Sequence, residues 1–130
     1  MSAGDKLRTP LARVRGLGSA KSGTEHFWRQ RVTAVANVPL TIAFVVIVVS
    51  LLGRNHAAVV QILGSPLVAM IMLLFIGSVT YHMRIGMQVI IEDYVHDEVP
   101  KLAAILGVKF AAVVLAGIGI FSVLRIAFGP

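Results

Sequence analysis

Three long apolar runs, joined by short polar connections, decide what this chain can fold into. A backbone crossing a bilayer must satisfy its own N–H and C=O groups, so it crosses as helices or as a closed barrel. Runs of about 20 apolar residues match the ~30 Å hydrocarbon core as helices. The first run spans about Val32 to Leu52, the second Pro66 to about Ile91, and the third about Leu102 to Ile126. Ser65-Pro66 has the residue types of a helix start, an N-cap hydroxyl followed by a proline at the first helical position. The predicted fold is therefore an all-α membrane protein with three transmembrane helices, occupying residues 1–130 as a single membrane domain. With 57% hydrophobic and 14% charged residues, a soluble domain of this length is excluded.

Orientation follows from the cations. Lys6, Arg8, Arg13, Arg15, Lys21, Arg29 and Arg31 all precede the first span, opposed only by Asp5 and Glu25. Such a bias places the N-terminus on the cytoplasmic side, and three crossings then put the C-terminus on the periplasmic side. Residues 1–30 read as a basic cytoplasmic tail and an interfacial segment. Residues 1–23 lack apolar periodicity, and Glu25 to Arg31 carries aromatics beside cations, a headgroup-level composition. An Arg-rich, acid-poor tail also fits a mitochondrial transit peptide, although Gly16, Gly18 and Gly23 weaken the amphipathic helix that one would need. The net charge of +6 is thus a membrane-surface feature rather than a nucleic-acid footprint. Cysteine is absent, which removes disulfides, thiolate metal sites and thiol catalysis.

Within the frame, the connections read simply. Gly53-Arg54-Asn55 ends the first span, and His56 to Gly64 forms a short interfacial turn on the outer side. Glu92 to Glu98 makes the inner connection, and Pro100 restarts a helix. On the third span Gly107, Gly117 and Gly119, with Ala103, Ala111 and Ala116, offer close-packing surfaces, and Lys109 snorkels to the surface.

The chemistry sits on the second span. His82 and Arg84 lie in otherwise hydrocarbon surroundings, where a charged side chain costs ~2.5–3.5 kcal/mol on insertion scales. At 100° per residue, His82, Gly86, Val89 and Asp93 form one stripe. Imidazole is a normal axial ligand of haem iron, and Gly86 leaves room for a flat ligand one turn away. A hydrogen bond from His82 to a neighbouring helix accounts for the same pattern. Arg84 points about 200° away from His82, toward another neighbour. Its expected partners are a carboxylate, a cofactor's acidic group, or water reached by tilting. Asp93 and Tyr94 close the helix about 18 Å beyond His82. A phenol beside a carboxylate there can hydrogen-bond a quinone carbonyl and relay protons, but on these residues alone a plain interfacial tyrosine anchor is the better account.

Taken together, His82-x3-Gly86-Met87-x4-Glu92-Asp93-Tyr94, behind Arg31-x-Thr33 at the head of the first span, resembles the hydrophobic membrane anchor D subunits of succinate dehydrogenase, respiratory complex II. The likeness covers about residues 24–128. It implies a haem-binding helical bundle shared with a partner cytochrome b subunit, with His82 as one axial ligand of haem b. It implies also that Tyr94 hydrogen-bonds ubiquinone with Asp93 as its acidic neighbour, and that Arg31 lies near the haem propionates. Arg84 departs from the family pattern and inherits no role. His26 and Trp28 lie where the mouth of the pocket would be, again without an inherited role. Arg31 and Tyr94 are expected together at the cytoplasmic surface, with His82 deeper. The implied partners are the flavoprotein, iron–sulfur and cytochrome b subunits in the bacterial cytoplasmic membrane, with the mitochondrial inner membrane as the alternative. A haem-free structural anchor and a small transporter using His82 and Arg84 are the competing functions.

Overall fold

A computed structural model describes residues 9–16 and 22–129. Five helices follow one another: α1 (Pro10–Val14), α2 (Ser22–Leu51), α3 (His56–Leu63), α4 (Pro66–Tyr94) and α5 (Glu98–Phe128). Three of them, α2, α4 and α5, are long and apolar enough to cross a membrane. Among the described residues only Ile47, Ala69, Ile85, Ile91 and Ala112 are buried. Val, Leu, Ile and Phe side chains stand exposed along all three long helices. Water cannot solvate such surfaces, so the bundle needs lipid or other helices around it. The protein is a multi-pass membrane protein.

The helices outrun the spans read from hydropathy. The first begins ten residues earlier than Val32, so the aromatic and cationic segment 25–31 is helical. Pro39 does not interrupt it; a missing backbone bond is tolerated in a membrane helix where neighbours compensate. The second runs on through Tyr94, and the third starts at Glu98, ahead of Pro100. The connection between α4 and α5 is thus only Val95 to Asp97 rather than Glu92 to Glu98. Pro100 falls in the first turn of α5, where its lack of an N–H costs nothing. In the tail, residues 10–14 form the short α1; the rest of the tail up to residue 21, apart from residues 9 and 15–16, lies outside the described residues.

Termination is chemically plain between α2 and α4. Gly53 adopts φ +73°, the left-handed conformation that closes α2 at little cost to a residue without Cβ. Asn55 then caps α3, its Oδ1 accepting from Ala58 N at 2.9 Å. The segment expected as a turn is therefore an eight-residue helix. Ser65 occupies the N-cap of α4 but makes no capping bond; its hydroxyl instead donates to Ile62 O at 2.8 Å. The same economy holds inside the spans, where Thr80 and Ser122 return their hydroxyl protons to carbonyls one turn back.

α4 is the central helix. It packs antiparallel to α2 on one side and to α5 on the other. Against α5, Gly119 is the point of close approach: an added Cβ there would lie 3.1 Å from two atoms of Ile76. Ala112 is buried and Ala116 half-buried on the same face. The other small residues expected to pack do not: Gly107 and Gly117 have nothing within 4 Å, and Ala103 and Ala111 are exposed. α5 is an edge helix whose long-helix neighbour is α4, with α3 touching only its C-terminal end, so most of its other face is left uncovered within this chain.

Candidate functional site

The α2–α4 seam carries the polar groups. Thr33 Oγ1 meets His82 Nδ1 at 3.0 Å, Ser78 donates to Asn37 Oδ1 at 2.6 Å, and Phe44 stacks on Phe75 with centroids 4.4 Å apart and planes at 11°. Positions 33, 37 and 44 recur at helical spacing on α2, and 75, 78 and 82 do so on α4. His82, Ser78 and Phe75 therefore face α2. Polar pairs of this kind fix the register of membrane helices, each contributing on average about 0.6 kcal/mol.

At the His82 level the seam opens into a groove of about 440 Å³, lined by Phe27, Gln30, Arg31, Ala34, Val35 and His82. Arg31 is held at its rim by Phe27, one turn earlier, with the guanidinium carbon 4.7 Å from the ring centroid. Arg31 lies two residues from Thr33, about 3 Å of helix rise, and Thr33 touches His82. Arg31 and His82 thus share one depth and one groove. This corrects the expectation that Arg31 lies with Tyr94 at the surface and His82 deeper. The reason is that α2 starts at Ser22, so Arg31 sits more than two turns inside the helix rather than at its mouth.

Asp93 and Tyr94 are not brought to this groove. They stand exposed at the end of α4, Tyr94 at 79%, about 18 Å along the axis from His82. Neither side chain makes a hydrogen bond among the described residues. A separate hollow of about 280 Å³ between Gly23, His26, Gln88 and Glu92 lies between the two levels, and Gln88 donates to Glu92 at 2.8 Å. Trp28 is exposed, and Glu25 pairs with Arg29 on the surface.

The two glycines on α4 both face open space. A Cβ at Gly86 or at Gly77 would meet nothing within 4 Å. The room expected beside Gly86 exists, and no group of this chain fills it. Arg84 points away from His82, as the helical angle requires, into a hollow of about 210 Å³ with Gly77, Thr80, Tyr81, Ala112, Val113 and Ala116. Its guanidinium carbon lies 5.9 Å from the Tyr81 ring centroid, and its buried Nε has no hydrogen-bond partner. No carboxylate of the described residues reaches it.

Residue types, spacing and three antiparallel spans can be set beside known proteins. The family described as succinate dehydrogenase/fumarate reductase transmembrane subunit matches residues 5–116. The chain is 33% identical over 121 residues to the succinate dehydrogenase hydrophobic membrane anchor subunit of Paracoccus denitrificans, covering 93% of each. This chain belongs to that family. The anchor subunit of the same description from Rickettsia bellii is 27% identical over 107 residues, 82% of this chain and 86% of its own length. The membrane anchor subunit of Reclinomonas americana is 33% identical over 96 residues, 72% and 80% respectively. No solved structure matches the chain.

Of the residues the sequence singles out, His82 and Arg31 line the groove. The sequence alone assigns no site role to Phe27, which holds Arg31, nor to Thr33 beyond its place in a motif, nor to Asn37 and Ser78, which pair in the same seam. The signal for them is polar residues four apart on each span, Thr33 and Asn37 on α2 and Ser78 and His82 on α4, a pattern that lipid does not tolerate without a facing partner.

Proposed function

We propose that this chain is the membrane anchor of a succinate:quinone oxidoreductase, holding the flavoprotein and iron–sulfur subunits at the bilayer and contributing to a haem b site and a ubiquinone site. The observation that carries the reading is the shared groove of His82 and Arg31. The donor set fits the cofactor. No group of three or more His, Cys, Asp or Glu gathers among the described residues, so a bare ion would find a single ligand here. A haem brings four nitrogens of its own and so would need few donors from the protein. His82 would hold it from this chain, with a partner cytochrome b subunit completing the site. Arg31, cationic at the same depth, suits the propionates, and the open face of Gly86 leaves room for the macrocycle edge. When bound, haem would supply a one-electron store.

The chain's residues then divide the work. His82 orients and ligates, and the Phe27-stacked Arg31 neutralises carboxylates that would otherwise be costly in hydrocarbon. Tyr94 donates a hydrogen bond to a quinone carbonyl, and Asp93 passes protons from the aqueous side as the quinone takes up two electrons and two protons. Both are exposed in the single chain because a quinone site at this level needs walls from the partner subunits. The basic residues ahead of α2 place the N-terminus in the cytoplasm and the C-terminus in the periplasm. The membrane is the bacterial cytoplasmic membrane, in keeping with the relatives from Paracoccus and Rickettsia; the mitochondrial inner membrane is the alternative.

Affinity purification of the tagged chain from mild detergent tests the assignment. Flavin and iron–sulfur subunits should co-migrate with succinate:quinone reductase activity. A chain that purifies without large partners would refute the anchor and return attention to a transporter built on His82 and Arg84.

A further inference from the structure

We infer that Thr33 is a positioning residue for His82, fixing its ring as the Nδ1–H tautomer so that Nε2 presents a lone pair to the groove. The inference deepens the proposed haem-ligand role of His82 and rests on it. Thr33 Oγ1 has three polar neighbours: Arg29 O at 2.8 Å, Gln30 O at 3.1 Å and His82 Nδ1 at 3.0 Å. A hydroxyl carries one proton, and carbonyl oxygens only accept. If that proton went to Nδ1, the lone pairs of Oγ1 and the Arg29 carbonyl would oppose each other at 2.8 Å in a water-poor seam. If it goes to the Arg29 carbonyl, Oγ1 is left as an acceptor, and only Nδ1–H can complete the contact. Every atom is then satisfied in one arrangement.

The lone pair consequence is direct. A neutral imidazole protonated at Nδ1 is unprotonated at Nε2, the state in which it binds a metal. Nε2 has no hydrogen-bond partner among the described residues, and the ring lines the groove. Thr33 is also well chosen as the anchor point. Its β-branch restricts χ1, and the bond to the carbonyl one turn back holds the hydroxyl in place. Because Thr33 lies on α2 and His82 on α4, ring orientation becomes a property of the helix pair. A hydrogen-bond acceptor on the far nitrogen of a ligating imidazole raises the basicity of that ligand, and its loss typically weakens metal retention 10–100-fold.

The experiment uses the purified intact complex with Thr33→Val, which keeps the shape and loses the acceptor, beside Thr33→Ser and His82→Ala. The readouts are the haem midpoint potential, the ferric haem electron paramagnetic resonance spectrum, and haem retention on dilution. Thr33→Val should raise the midpoint potential, since a less basic ligand stabilises ferric iron less, shift the ferric spectrum, and release haem about tenfold more readily. Thr33→Ser should match the wild type. If Thr33→Val leaves potential, spectrum and retention unchanged while His82→Ala loses haem, Thr33 only packs, and the inference falls alone. If His82→Ala keeps its haem, the ligand reading falls and takes this one with it. Should Thr33→Val fail to assemble, Thr33→Cys, a poor acceptor of similar size, is read in the same way.

Discussion

Gly86→Ala separates what this chain does by itself from what approaches it from outside. In the isolated chain the new methyl meets nothing within 4 Å. Replacing a mid-helix glycine with alanine favours the helix by up to about 1 kcal/mol. Against lipid alone, the change is therefore neutral or mildly stabilising. If a haem edge lies on that face, the methyl overpacks a filled space, which typically costs 1–3 kcal/mol. At tenfold per 1.4 kcal/mol this lowers haem retention by about 5-fold to about 150-fold. The assay is the haem-to-flavin ratio of the purified complex, followed through a thermal ramp. A variant that keeps its full haem complement and unfolds at a higher temperature would show that nothing packs against Gly86. The haem site would then have to be drawn elsewhere on His82's surroundings.

Gly64→Ala should behave in the opposite sense. Its Cβ would stand 2.9 Å from the Val60 carbonyl and 3.1 Å from the Ile126 carbonyl, and backbone cannot rotate away. A loss of about 1–3 kcal/mol of thermal or detergent stability is expected, measured on the complex by ramp and activity half-life. Ser78→Ala removes the bond to Asn37 and should weaken the α2–α4 seam by about 0.6 kcal/mol, with a double-mutant cycle to Asn37→Leu showing that the two share one interaction. Tyr94→Phe keeps the ring and loses the donor. Quinone reduction should fall while haem content stays constant, and a wild-type rate would reduce Tyr94 to an interfacial anchor.

The hydropathy pattern made the three crossings legible, because a backbone in lipid has so few alternatives. It placed the helix ends poorly. Residues 22–31 and 92–94 carry charge, which a membrane scale scores as loop, yet nothing in their backbones breaks a helix. That single misjudgement displaced Arg31 in depth. The angle between His82 and Arg84 was legible too, since 100° per residue is a property of any α-helix, and the two do face different neighbours. What periodicity cannot give is which neighbour lies on which face. Thr33 opposite His82, and Ile76 against Gly119, depend on the register between helices, set by pairs far apart in the chain. The surroundings of Asp93 and Tyr94 were beyond reach for a different reason. Their side chains end in open space here, where other subunits are proposed to close the site.

The most direct measurement is a reduced-minus-oxidised visible spectrum of the intact complex, taken for the wild type and for His82→Ala at matched flavin content. A b-type band in the wild type that is lost or strongly weakened in the variant is the expected result. Bands of equal intensity in both would contradict His82 as the ligand, and no band in either would leave a haem-free anchor.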